Sequence, residues 1–565
     1  MTLTGVRASL AGGARTSAGA ADALGALCLA AIVAALTLNV VARTLSLPVV
    51  GAGAAAQALL VALAFCALPG LARSVPDGRR GLAAAVVVGF AVVTVCRGMA
   101  FAAGTIGGIE PVLGVPVASR YAVAAVLAAA ALLAAARGPA SALATAAGAA
   151  LALAPLPVQP AAVGAAVFAL ALVLRVPVAL ALLAGVAAAP GRLSDAALAQ
   201  SLMRGLSPYV LLAVPLFVLS AALMVAGGIG ERMVEAARWF ARRRRSALGE
   251  ANVLASALFG GVSGSSVADA ALGARLLVPA MVAAGTSPAQ AAALTAASAV
   301  LPNVLPPSIA LLLAAAATDQ SVGALWVAGI GAGAVLALVL WLAARRLARG
   351  RVPEAAPTGR AALVGLAPPL VIGVVVLGGL RLGLVTSVEA GLLACGLAAA
   401  FGLAARGPAA LATALREAAQ QTGRVALLIA AAAPVGFLLA TSGIDVAALL
   451  PTGPPTAVLA VAAAWCLVLG TVLDVGAGIL LTLPILVPAA VAAGADPIHA
   501  TMTLTVALLI GGLTPPVGIL VLVVKDLTGA SGVYRAVLPY CVALALGLAI
   551  ILALPALTVG LVHLL

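Results

Sequence analysis

The chain is 565 residues long, 64% hydrophobic and only 8% charged. Apolar runs this long exclude a water-soluble enzyme, and they lack the alternation over roughly ten residues that a membrane-spanning strand shows. The formal net charge of +14 does not point to nucleic acid, because arginines flanking apolar runs mark the cytoplasmic side of a membrane.

The predicted fold is therefore an all-α polytopic membrane protein. A helical span needs about 20 apolar residues, and about fifteen to seventeen spans and re-entrant pieces are predicted. Runs near 23–42, 51–72, 82–104 and 120–137 make a four-helix N-terminal unit, residues 1–138. The first run follows Arg7 and Arg15 and is too long for a cleaved signal segment, so it is expected to be retained. Arg7, Arg15, Arg73, Arg79, Arg80 and Arg137 then fall inside, against Arg43, Arg97 and Arg120 outside. Residues 139–157 read as a connecting helix and linker ending at Pro155-Leu156-Pro157, and 158–565 as a second domain.

That domain opens with 163–189, predicted as one span bent at Arg175-Val176-Pro177, where proline removes a helix hydrogen bond. After a span at Val210 to Val225, Ile229 to Arg245 reads as an amphipathic arm with Met233, Ala236, Ala237 and Phe240 on one face. It ends in Arg242 to Arg245, which the charge rule places at the cytoplasmic interface. Arg345, Arg346, Arg349 and Arg351 are placed on the same side.

An internal repeat dominates the second domain. The proline pairs Pro279 and Pro488, Pro288 and Pro497, Pro306 and Pro515, and Pro307 and Pro516 are each 209 residues apart. Paired segments broken by Gly and Pro in corresponding positions are the best sequence pointer to a transporter's binding site. The first copy is predicted as a helical hairpin over about 249–285, loosened at Gly260 to Ser266 because glycine weakens a helix interior. Its companion, Thr295 to Ser308, is broken by Pro302, Pro306 and Pro307. Backbone freed at membrane depth must be buried or line a wet cavity. Freed carbonyls and serine hydroxyls are hard oxygen ligands suited to a small hard cation, Na⁺ being the expected one.

Two spans at 321–344 and 361–382, a third at 385–404, a basic arm from Arg406 to Arg424 and a span at 425–442 lead to the second copy. It is a hairpin over about 454–491, with a companion, Met502 to Val524, broken at Gly511 to Pro516. The threading brings this hairpin in from the opposite face, which makes the repeat inverted. Cys28, Cys66, Cys96, Cys395, Cys466 and Cys541 lie in apolar runs with no paired spacing, and His499 and His563 stand alone, so no metal constellation is expected. Asp269 and Asp474 are the acids expected at membrane depth, where a functional role is the default. A helix-capping role is equally open for both, and the two are compatible.

At these residues the chain resembles the tripartite ATP-independent periplasmic (TRAP) transporters with fused small and large membrane subunits. The resemblance rests on Asn252-Val253-Leu254-Ala255-Ser256, Gly264 to Ala270, Thr295-Ala296-Ala297-Ser298, Pro306-Pro307-Ser308 and Leu513 to Gly518. It covers most of 160–558, and 1–138 is similar to the small subunit in size and placement. It implies a Na⁺-coupled secondary transporter of the inner membrane, importing an organic acid from a separate soluble binding protein by an elevator motion. Carried over by motif, Ser263, Gly264, Ser265, Ser266, Pro302, Asn303 and Pro306 form one sodium site. Gly476, Gly478, Gly512, Thr514 and Pro515 form the other, and Ser265, Asp269, Ser298, Asn303 and Asp474 contact substrate. The chain departs from the family pattern at Ala222, Ala299, Pro302-Asn303, Ala507 and Leu520, which leaves fewer polar groups in the site.

No catalytic residue and no cofactor beyond the coupling ion is expected. An intramembrane aspartyl protease would carry Gly-x-Gly-Asp, whereas Val472-Leu473 precedes Asp474. A stand-alone Na⁺/carboxylate symporter would share the repeated core, but the four N-terminal helices argue against it.

Overall fold

The computed structural model describes residues 3–44, 52–74, 78–105, 121–124, 126–127, 144–146, 161–174, 176–189, 194–241, 247–347, 359–442, 450–451, 453–515 and 517–564. All regular structure among them is helical. Ten of these helices are long and apolar enough to cross a membrane, and six further apolar stretches are shorter. The fourth apolar run and the connector lie largely outside the described residues, as do Arg242 to Arg245, Arg349 and Arg351. The chain packs as two compact units, one of 1–215 with 415–444 and one of 216–414 with 445–565. The sequence boundaries at 138 and 158 stand as a proposal about subunit origin.

In the first unit α1 (Leu3–Thr44) lies on α2 (Ala52–Arg73). A Cβ at Gly25 would touch Leu63 at 3.5 Å and Cys66 at 3.7 Å. The same pairing puts Cys28 in side-chain hydrogen bonding with Cys66, a proximity that linear spacing does not show. Next comes α3 (Gly78–Thr105), whose Phe90 packs with Ala187 and Ala188.

The segment 163–189 is not a bent span. It forms two helices, α4 (Ala161–Val173) and α5 (Val178–Ala187), folded back on each other. A Cβ at Gly164 would lie 2.6 Å from the Gly185 carbonyl oxygen, so the two ends of the segment are adjacent. The Val176 amide closes α4 onto the Ala171 carbonyl at 2.9 Å, and Pro177 stands at the N-cap of α5. A proline that cannot continue one helix begins the next. Reversal here returns the chain to the face it came from.

A short amphipathic helix, α6 (Asp195–Gly205), is capped by Ser194 and precedes α7 (Ala213–Ala226). In the second unit α8 (Ile229–Ala241) buries Val234 and Ala237 against Ala251, Ala255 and Leu277. Met233 and Ala236 are buried as predicted, but Phe240 is 48% exposed. Trp239 takes the packed position instead, 2.8 Å from where a Gly359 Cβ would stand.

The first hairpin consists of α9 (Ala247–Ser263) and α10 (Ser266–Ala283), followed by α11 (Pro288–Ser298) and α12 (Ile309–Thr318). Its base is fixed by buried Glu250, which accepts from Trp341 Nε1 at 3.0 Å and faces Arg345 Nε at 3.7 Å. Then come α13 (Val322–Leu347), α14 (Gly359–Arg381) and α15 (Ser387–Arg406), the last opened by a Thr386/Glu389 capping box.

The predicted basic arm and the span after it are one helix, α16 (Pro408–Ser442), with no break at residue 424. A change from polar to apolar surface does not by itself interrupt backbone hydrogen bonding. The second hairpin is α17 (Pro455–Gly470) and α18 (Val475–Ala492), followed by α19 (Pro497–Gly511), α20 (Ile519–Thr528), α21 (Leu538–Ala553) and α22 (Val559–Leu564). Both ends of α18 stand 209 residues after those of α10, and the starts of α11 and α19 keep the same offset.

Candidate functional site

The first hairpin opens over a shorter stretch than its glycines predict. Helix α9 runs through Gly260 and Gly261 to Ser263, and only Gly264 and Ser265 form the tip. The helical cost of Gly260 is offset by close approach, since a Cβ there would lie 3.0 Å from Leu305 Cβ and 3.2 Å from Pro302 Cα. Gly264 has φ +53°, and a Cβ there would sit 2.7 Å from the Pro307 carbonyl oxygen. The tip thus lies directly on the broken helix, and only glycine fits it.

Ser265 is the N-cap of α10, its hydroxyl accepting from the Ala268 amide at 3.4 Å. The capping role weighed for Asp269 therefore belongs one turn earlier. Asp269 lies inside the hairpin, 5% exposed, hydrogen-bonded to Ser256 of α9.

The first break spans a 3-10 turn, Leu301–Asn303, between α11 and α12. Among the described residues no backbone N–H donates to the carbonyls of Pro302, Leu305, Pro306 or Pro307. Prolines remove the donors that a continuous helix would offer. Ser308 caps α12 through the Leu311 amide at 3.1 Å and also donates to the Asn303 carbonyl. Asn252 of α9 donates to Thr295 Oγ1 of α11 at 2.6 Å. Asn252 and Ser256 stand in a motif of the family resemblance but are not among the predicted site residues. Their spacing of one turn on an otherwise apolar arm was the available signal.

The second copy keeps the backbone plan. Asp474 is the N-cap of α18, accepting from the Gly476 amide at 3.1 Å, and it occupies the register position of Ser265. Gly470 and Gly511 bring α17 and α19 into contact, a Cβ at Gly511 falling 2.8 Å from Gly470 Cα. Gly478 packs against Leu508, where a Cβ would lie 2.8 Å from Cδ2. Past α19, no described backbone N–H donates to the carbonyls of Leu513, Thr514 or Pro515. The Thr514 hydroxyl donates to the Ile510 carbonyl at 2.8 Å and also meets the Cys541 thiol of α21.

The structure thus brings Gly264 together with Pro307, and Pro302 with the hairpin arm at Gly260. Asp474 is joined to Gly476. Gly512 and Thr514 lie in the second break, and Gly478 serves close packing. The Ser263 side chain and Pro516 lie outside what is described.

A helical, multi-pass membrane permease whose core repeats a hairpin and a broken helix is the class that this arrangement defines. The chain belongs to the family described as tripartite ATP-independent periplasmic transporter, DctM component, whose sequence model matches residues 163–557. It is 33% identical over 371 residues to the C4-dicarboxylate TRAP transporter large permease protein DctM of Pseudomonas aeruginosa, covering 62% of this chain and 86% of that one. The sialic acid TRAP transporter large permease protein SiaM of Vibrio cholerae is 31% identical over 378 residues, covering 64% and 88%. The sialic acid TRAP transporter permease protein SiaT of Haemophilus influenzae is 31% identical, with 63% of this chain and 60% of that one covered. The protein is accordingly a multi-pass inner-membrane permease.

Proposed function

We propose that this chain is the membrane permease of a sodium-coupled importer, taking an organic acid from a separate soluble binding protein and moving it by an elevator motion without ATP. The observation that carries the reading is the seating of the first hairpin tip on the proline-broken helix, Gly264 against Pro307. Such a tip and break offer hard oxygens at membrane depth with little competing hydrogen bonding, which fits Na⁺. Ser263, Gly264, Ser265, Ser266, Pro302, Asn303 and Pro306 would hold one ion. Gly476, Gly478, Gly512, Thr514 and Pro515 would hold the other. Bound Na⁺ supplies positive charge beside which an anionic substrate is stabilised.

Ser265, Asn303 and Asp474 are the groups proposed to meet the substrate. Asp269 and Ser298, first expected among them, are buried between helices and are given a different role below. The relatives' names speak of C4-dicarboxylate and sialic acid, and an organic acid is proposed for this chain by that likeness. Residues 1–138 are proposed as a fused small subunit that braces the scaffold. In proteoliposomes, uptake is expected only with both an inward Na⁺ gradient and the cognate binding protein. Equal uptake by the permease alone would favour a stand-alone symporter, and a requirement for ATP would overturn the proposal.

A further inference from the structure

The first repeat contains a buried polar level that the tip and the break do not use. Asn252, Gly273 and Thr295 share one level of the α9, α10 and α11 bundle. Asn252 bonds Thr295 at 2.6 Å, and a Gly273 Cβ would lie 2.6 Å from Thr295 Cγ2. One helical turn toward the tip, the same three faces carry Ser256, Asp269 and Ser298. The hydrogen bond between Ser256 and Asp269 confirms that level.

All three residues are buried, at 3%, 5% and 0% exposed. Among the described residues Asp269 Oδ2 and Ser298 Oγ have no hydrogen-bond partner. Among the described residues no cationic side chain pairs with Asp269, the ion pairs near this hairpin being Arg345 with Glu250 and Arg406 with Glu231. Arg275, later on the same helix, is exposed. An ionised carboxylate buried without a counter-charge is strongly unfavourable. A buried carboxylate oxygen and a buried hydroxyl that are both unpaired call for a further partner.

We propose that Asp269, with the hydroxyls of Ser256 and Ser298, forms a third cation site that takes a monovalent hard cation, Na⁺, inside the first hairpin. One carboxylate balances one positive charge, whereas a divalent ion would leave a net charge buried. Hydroxyl and carboxylate oxygens suit a hard cation. The site occurs once. In the second repeat the register positions of Ser256, Asp269 and Ser298 are Trp465, Gly478 and Ala507. The inference rests on the sodium coupling proposed above and adds an ion to it.

The test is ²²Na⁺ binding to the purified full-length permease, counting ions per chain and half-saturation. Asp269→Asn is expected to bind one ion fewer than wild type, while Thr514→Ala, at the second break, keeps the number and weakens affinity. Ser298→Ala, which leaves the carboxylate in place, is expected to raise the half-saturation of one ion about fivefold, with an unchanged melting temperature in Na⁺-free buffer. It reports even if Asp269→Asn fails to fold. Wild-type ion number in Asp269→Asn, or an unchanged binding curve in Ser298→Ala, overturns the proposal. Absence of any Na⁺ binding by wild type would instead overturn sodium coupling itself.

Discussion

The two repeats share a backbone and differ in chemistry. Helices α10 and α18 have the same length and register, and each is capped at the tip, by Ser265 in one and Asp474 in the other. Around the first tip stand Asn252, Ser266, Asp269 and Ser298, all buried and each with an orphaned polar atom. Around the second, the register positions of Asp269, Thr295 and Ser298 are Gly478, Leu504 and Ala507. Prolines and glycines are retained because they free carbonyls and permit close approach. Side chains are free to diverge once the backbone supplies ligands. The first half therefore presents side-chain and backbone oxygens, the second mainly backbone oxygens with one threonine and one acid.

Breaking the tip of the first half should have the largest effect. Gly264→Ala combines a left-handed backbone with a Cβ 2.7 Å from the Pro307 oxygen, and is expected to cost about 2–5 kcal/mol in thermal unfolding and to abolish uptake. Gly511→Ala meets only the packing penalty, its Cβ falling 2.5 Å from the Leu467 carbonyl oxygen and 2.8 Å from Gly470 Cα. It should cost about 1–3 kcal/mol by the same measurement.

Hydroxyl deletions sharpen the contrast further. Ser265→Ala removes a helix cap, so it should lower stability by about 1 kcal/mol as well as raise the Na⁺ concentration for half-maximal uptake. Thr514→Ala removes a hydroxyl that bonds back to its own helix and meets the Cys541 thiol. It should shift Na⁺ dependence about five- to tenfold with no change in melting temperature. Smallest of all is Asp474→Ser, which gives the second tip the first tip's cap. Stability should stay within about 0.5 kcal/mol, so any loss of uptake reports the charge rather than the cap.

Much of this plan is legible in the sequence because prolines and glycines act locally. The offset of the prolines locates both hairpins and both breaks to within a few residues. What stays hidden depends on tertiary contact. Pro177 is compatible with a kink or a reversal, and only the meeting of Gly164 with Gly185 decides for reversal. The glycines before Ser263 read as an open loop, yet Gly260 is helical because it packs on Pro302 and Leu305. Asp269 reads as a cap because the tip was placed too late, whereas the chain opens only at Gly264 and Ser265. The pairing of Cys28 with Cys66 depends on how α1 lies on α2.

The inverted relation of the two halves is the central claim, and Ala283 and Ala492 test it directly. They end α10 and α18, are both exposed, and occupy the same register position. Each is replaced by cysteine in a background lacking the six native cysteines and probed with a membrane-impermeant maleimide in oriented vesicles. The account predicts that Ala283→Cys labels only from the cytoplasmic face and Ala492→Cys only from the external face. Labelling of both from one face would contradict it.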